Sequence, residues 1–184
     1  MFRRLFAPLA ALLLLGACAT GGEPVDPNDT SLSVVYGHID MDEAPSGLDW
    51  VFLMDYSGDE DGYRFGAEDG IFYHVGVEPG PYQIDTFGAN PSFFDNTYYT
   101  YNFGGSGRNA SAVRIERPGV YYLGAHRYVD VDTGWFEAPR FDIEPATGVS
   151  EREILTWVLQ DMEATLPEYV NQIGMVRRRL AEMG

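Results

Sequence analysis

Between residue 32 and about residue 144, apolar side chains recur at every second position in short runs. Gly, Pro, Asn and Asp punctuate those runs. A β-strand sends successive side chains to opposite faces, so this alternation marks strands with one buried face. The clearest run carries Leu48, Trp50, Phe52, Met54 and Tyr56, interleaved with Asp49, Val51, Leu53 and Asp55. Residues 34–39, 71–77, 82–86, 99–103, 113–115, 120–131 and 135–143 supply the others. No long helical pattern interrupts them. Short strands at this spacing predict a mainly β fold, an antiparallel β-sandwich of about 7–8 strands.

The period changes at residue 147. Ser150 followed by Glu153 is a capping box, in which each side chain satisfies an orphan backbone N–H of a helix start. Ile154, Leu155, Val158, Leu159 and Met162 then recur at helical spacing. Pro167 restarts or kinks the helix, and Tyr169, Ile173, Val176, Leu180 and Met183 continue the stripe. Arg177, Arg178 and Arg179 suit the negative end of a helix dipole. The tail is one kinked helix or an αα-hairpin. It packs on the sandwich, or it stands partly free as an amphipathic helix that docks on a partner or on anionic head groups.

The N-terminus reads as an address. Arg3 and Arg4 precede a short apolar stretch from Leu5 to Leu15, broken by Pro8. That stretch is too short to span a bilayer and fits a secretory signal peptide. Leu15-Gly16-Ala17-Cys18 resembles the lipobox of bacterial lipoproteins, in which the cysteine is lipidated and becomes the first residue. The resemblance implies a lipid anchor at Cys18 and a place in the cell envelope. Ala19, where inner-membrane lipoproteins often carry Asp, favours the outer membrane, on its periplasmic or surface face. The expected organisation is a signal peptide over 1–17 and a lipidated Cys18 with a flexible tether over 18–31. A β-sandwich follows over 32–146, and C-terminal helices over 147–184.

Two segments echo each other: Val77-Glu78-Pro79-Gly80-Pro81-Tyr82-Gln83-Ile84 and Ile115-Glu116-Arg117-Pro118-Gly119-Val120-Tyr121. In each a strand ends, Pro-Gly turns the chain and a Tyr-bearing strand returns. Pro then Gly is the type II turn signal, which predicts positive φ at Gly80 and Gly119. The pattern resembles the prealbumin-like modules of carboxypeptidase regulatory domains. It implies architecture and carries no catalytic residue. Tyr82 and Tyr121 read as core or corner tyrosines. As a whole the chain also resembles lipoproteins of Gram-negative bacteria that carry stretches like 114–121.

Charge limits the partners. The chain has 28 acidic residues against 12 basic ones, all Arg, for a formal charge of -16. Such a chain repels nucleic-acid phosphates and is poorly suited to lie on anionic lipid by net charge alone. A single Cys excludes an internal disulfide and a multi-Cys zinc site.

Candidate chemistry falls in three places. Ser57, Asp59, Asp61, Gly62 and Glu68 match positions 1, 3, 5, 6 and 12 of an EF-hand-type calcium loop, although strand-like flanks read equally as an acidic hairpin. His38, His74 and His126 could hold a transition metal if they converge, with Asp40 or Asp42 in support; no local spacing favours this over three separate core histidines. Phe93, Phe94 and Tyr98 next to Asn and Asp could stack on carbohydrate or peptidoglycan. Tyr99, Tyr101 and Phe103 instead share a core face. No Gly-x-Ser-x-Gly elbow occurs. The Gly-rich stretch 104–109 lacks the Lys and the helix of a P-loop and reads as a mobile loop. The chain is therefore expected to be a non-enzymatic, lipid-anchored interaction module with an envelope protein as partner and no cofactor. The alternative is a ligand-binding module for glycan or calcium.

Overall fold

The structure is a computed structural model that describes residues 25–57, 61–91, 97–104, 108–133 and 140–184. Among these the elements run β1 (Ser33–Asp40), β2 (Trp50–Asp55), β3 (Gly62–Glu68), β4 (Ile71–Val77), β5 (Gly80–Ala89), β6 (Tyr99–Asn102), β7 (Val113–Ile115), β8 (Val120–Val131), β9 (Arg140–Pro145), α1 (Glu151–Thr165) and α2 (Val170–Glu182). The strands form one sheet in the order β6-β5-β2-β3-β4-β1-β8-β9, with β7 beside the start of β5.

The domain is mainly β with a helical C-terminus, as the periodicity predicts. The expected pair of stacked antiparallel sheets is replaced by one curled, mixed sheet, a half-barrel. The sheet turns at β3, where Gly62–Gly66 pair with β2 and Ala67–Glu68 pair with β4. β1 and β8 run parallel, while the other pairings are antiparallel. Alternation fixes which side chains share a face but not which strands meet, so it could not separate one curled sheet from two stacked ones.

The concave face encloses the larger core. Val35, Ile39, Val51, Leu53, Phe72, Ile84 and Phe87 are fully buried there. The two edge strands meet through rings. Tyr101 on β6 lies 5.3 Å from Phe141 on β9 and 5.4 Å from Tyr128, and Tyr128 stacks on Phe141 at 5.1 Å. Edge strands expose unpaired backbone groups, and here rings from both edge strands meet in the larger core.

The convex face carries the second core. Val34 and Tyr36 of β1 and Val75 of β4 pack against Ile154, Leu155, Val158 and Met162 of α1 and Ile173 and Val176 of α2. β1 is thus covered on both faces, which is why Val34, Val35 and Tyr36 follow one another without a polar residue between them. Of the two readings of the tail, the packed αα-hairpin is the one observed. Ser150 and Glu153 form both halves of the capping box. Two tyrosines pin α1 to the sheet: Tyr36 donates to Glu151 Oε1 at 2.7 Å and Tyr73 donates to Asp161 Oδ2 at 2.6 Å. Burial, reinforced by those carboxylates, pushes both phenols above the usual tyrosine range.

Three local expectations change. β3 lies where an acidic loop was expected, because the acids around it hide the Tyr63, Phe65, Ala67 alternation. Gly80 and Gly119 do not have positive φ, so neither Pro-Gly is a type II turn. The glycines serve a close approach instead. A Cβ at Gly80 would lie 2.9 Å from the Tyr82 hydroxyl oxygen, and one at Gly119 would lie 3.2 Å from the Tyr121 ring. Each tyrosine folds back over the glycine two residues before it. Tyr121 is a corner tyrosine, donating to the Arg117 carbonyl at 2.7 Å, and Tyr82 is a core residue. Finally, residues 25–31, the end of the expected tether, are bonded to α2. Tyr169 donates to the Val25 carbonyl at 3.1 Å and Gln172 donates to the Asp29 carbonyl at 2.8 Å.

Candidate functional site

The C-terminal end of β1 opens into a cleft of about 880 Å³. Three segments wall it: residues 38–49, the β3–β4 turn at Asp69-Gly70, and residues 146–149 ahead of α1. Local bonds hold these walls. Ile39 N–H donates to the Gly70 carbonyl and Asp42 N–H to Asp40 Oδ1, both at 2.9 Å. Asp49 Oδ2 accepts from Asn90 N–H at 2.7 Å. Ser46 Oγ lies 3.1 Å from the Tyr101 hydroxyl, which joins the loop to the aromatic seam.

Asp40, Asp42, Asp49 and Asp69 line this cleft, and no Arg among the described residues does. His38 is the one titratable base among them, and its Nδ1 is buried with no hydrogen-bond partner among the described residues. Burial pushes the imidazole below its ordinary range, against the pull of Asp40 and Asp42. An open cleft with this lining attracts cationic groups.

The three histidines do not form one site. His74 stacks on Phe65 at 5.3 Å, and burial pushes it down to about 4. His126 meets Phe103 edge-on at 4.7 Å and bonds the Leu123 carbonyl at 2.9 Å. Burial lowers it too, and a charge on His38 lowers it further, so only those two lie near each other. Among the described residues no group of three or more His, Cys, Asp and Glu is placed to hold a metal.

The calcium loop is not assembled. Asp61 precedes β3 and Glu68 ends it. Seven residues of extended chain put them about 23 Å apart, too far to share an ion. Asp55 N–H bonds the Asp61 carbonyl at 2.9 Å and Asp55 Oδ1 accepts from Ser57 N–H at 2.7 Å, which is hairpin geometry. Asp59 lies outside the described residues, as do Cys18, Phe93 and Phe94. Tyr98 is 73 % exposed, whereas Tyr101 and Phe103 are core residues, as the alternation predicts.

The cleft was only half visible in sequence. Asp40 and Asp42 stand together at the end of β1, but Asp69 and Val149 reach the site through long-range contacts no local pattern encodes. No described helix is long and apolar enough to cross a membrane. Compared with known protein families, curated proteins and solved structures, the chain matches none.

Proposed function

We propose that this chain is a lipid-anchored, non-enzymatic module of the cell envelope that holds its acidic cleft out towards a partner. The observation that carries the reading is the continuity from Leu15-Gly16-Ala17-Cys18 to a docked segment. Val25 sits where a side chain on Gly76 would be, 2.6 Å from the Cβ position, and Gly76 has φ +108, which favours glycine. Together with the Tyr169 and Gln172 bonds, this seats the end of the tether on the domain. Six residues separate Cys18 from Val25, and the seven steps between them reach about 25 Å at most. A lipid at Cys18 would keep the domain close to the bilayer in a limited range of orientations.

The cleft lies at the other end of β1 from that docked segment, so its carboxylates and His38 would face away from the membrane. Charge complementarity there would select a basic segment of an envelope partner and speed its arrival. The test is in-cell crosslinking of the anchored protein followed by mass spectrometry, with Cys18→Ala as control and Asp40→Asn/Asp42→Asn as a second variant. The reading expects a dominant partner that both variants lose. A partner set unchanged in both would overturn it.

A further inference from the structure

The strongest charged feature outside the cleft lies at the opposite end of β1. There the β7–β8 turn and the last turns of α2 enclose a cavity of about 440 Å³ lined by Arg117, Tyr121, Met175, Arg178, Arg179 and Glu182, among others. Arg179 is committed: it bonds Glu151 Oε1 at 3.0 Å, on the same oxygen that accepts from Tyr36. Its other nitrogen lies 3.9 Å from Glu182. Arg117 and Arg178 are different. Both are exposed, and no carboxylate among the described residues pairs with either. Two arginines without a carboxylate partner among the described residues line one cavity, one from the turn and one from the helix, in a chain of formal charge -16.

We propose that this cavity is a phosphate-binding site with Arg117 and Arg178 as its ligands, and that it takes the phosphate of an anionic lipid headgroup. A guanidinium offers a planar fork of donors that matches two phosphate oxygens, and two such forks across a cavity can hold one phosphate from both sides. The scaffold fixes both walls. Val34 N–H bonds the Gly119 carbonyl at 2.9 Å, and Gly119 N–H donates to Ser33 Oγ at 3.3 Å, so the Arg117 turn is tied to the first residues of β1. Arg178 stands on the helix whose Gln172 holds Asp29. The cavity therefore lies at the tether's end of the domain.

The choice of a lipid as source rests on the anchor proposed above; the site itself does not. Net charge argues against a membrane surface only over long distances. Salt screens exposed charges beyond about 8–10 Å, so the cavity's own guanidiniums decide what binds there. A lipid at Cys18 would supply the proximity that the acidic remainder of the chain opposes.

The test follows modification of arginines by phenylglyoxal, read residue by residue by mass spectrometry. Arg177, paired with Glu163 at 2.8 Å and not lining the cavity, is the internal standard. The full chain, matured by its host, is placed in nanodiscs of phosphatidylcholine alone or with a quarter phosphatidylglycerol. Arg117 and Arg178 should react at least about fivefold more slowly in the anionic discs, the effect of about 1 kcal/mol per arginine at such a surface, with Arg177 unchanged. Inorganic phosphate should protect the same two residues in neutral discs. Protection by phosphate without protection by phosphatidylglycerol would overturn the lipid source and keep the site. No protection in either arm would overturn the site. A chain that enters no disc at all would refute the anchor alone, and the phosphate arm would then decide the site in solution.

Discussion

At its first residues β1 meets α2, the docked 25–31 segment and the Arg117 turn; at its last, about 23 Å away, it meets a cleft walled by carboxylates. The two ends share one strand and little else. At the start, long side chains fix the backbone: Tyr169 and Gln172 hold carbonyls of the entering chain. At the other end, short Asp side chains fold back on nearby N–H groups and leave the cleft open. A formal charge of -16 describes neither end. Net charge is an average, whereas a binding surface is local on the scale of the screening length.

Breaking the tether's end should have the largest effect. Gly76→Ala places a Cβ 2.6 Å from Val25 Cγ2 at φ +108, so we expect a loss of about 3 kcal/mol in urea denaturation. Residues 25–31 should become cleavable by protease while amides 41–49 keep their hydrogen-exchange protection. Equal loss of protection in 41–49 would mean that the two ends open as one unit.

Next comes the link between sheet and helices. Tyr36→Phe removes a buried donor to Glu151 and should cost about 2 kcal/mol. It should also loosen Arg179 and raise that residue's reactivity, with Arg127 at the far end unaffected.

Acid should act most strongly on the shared core, with His38 at the acidic end and His126 lowered by burial in the same direction. His74 is held near 4, below its ordinary 6.5, so the unfolded chain binds its proton first as pH falls. Stability should be constant above about pH 6.5 and decline between 6.5 and 4, by roughly 2–3 kcal/mol from this residue. His74→Phe, beside Phe65, should flatten that slope. A slope unchanged in the variant would assign the acid sensitivity elsewhere.

The smallest effect sharpens the acidic end. Asp40 and Asp42 raise the His38 pKa against burial, so Asp42→Asn should lower it further, read by NMR titration of the imidazole. Global stability should change by less than about 0.5 kcal/mol.

What the sequence carried follows from how local each signal is. The Ser150–Glu153 box, the helical stripe after it and the twelve-residue β8 depend on neighbours within a few positions, and all were legible. β3 was hidden because acids surround its Tyr63, Phe65, Ala67 alternation and mimic a metal loop. The Pro-Gly echo was seen but misassigned to turn geometry, when its cause is a tyrosine ring lying over the glycine. The aromatic seam, the cleft and the Arg117–Arg178 cavity each join residues tens of positions apart, and pairing of that kind leaves no local trace. The three histidines do not converge; His38 and Asp42 share a cleft without a metal-ready group among the described residues.

In the proposed arrangement the two ends of β1 face opposite ways, the arginine end to the bilayer and the acidic end to the partner. Paramagnetic broadening by a spin-labelled lipid headgroup, with the full lipidated chain in nanodiscs, tests it most directly. Strong broadening is expected at the amides of 117, 119–121 and 175–182, and little at 40–49 and 69–70. Equal broadening at both ends, or broadening confined to 40–49, would contradict it.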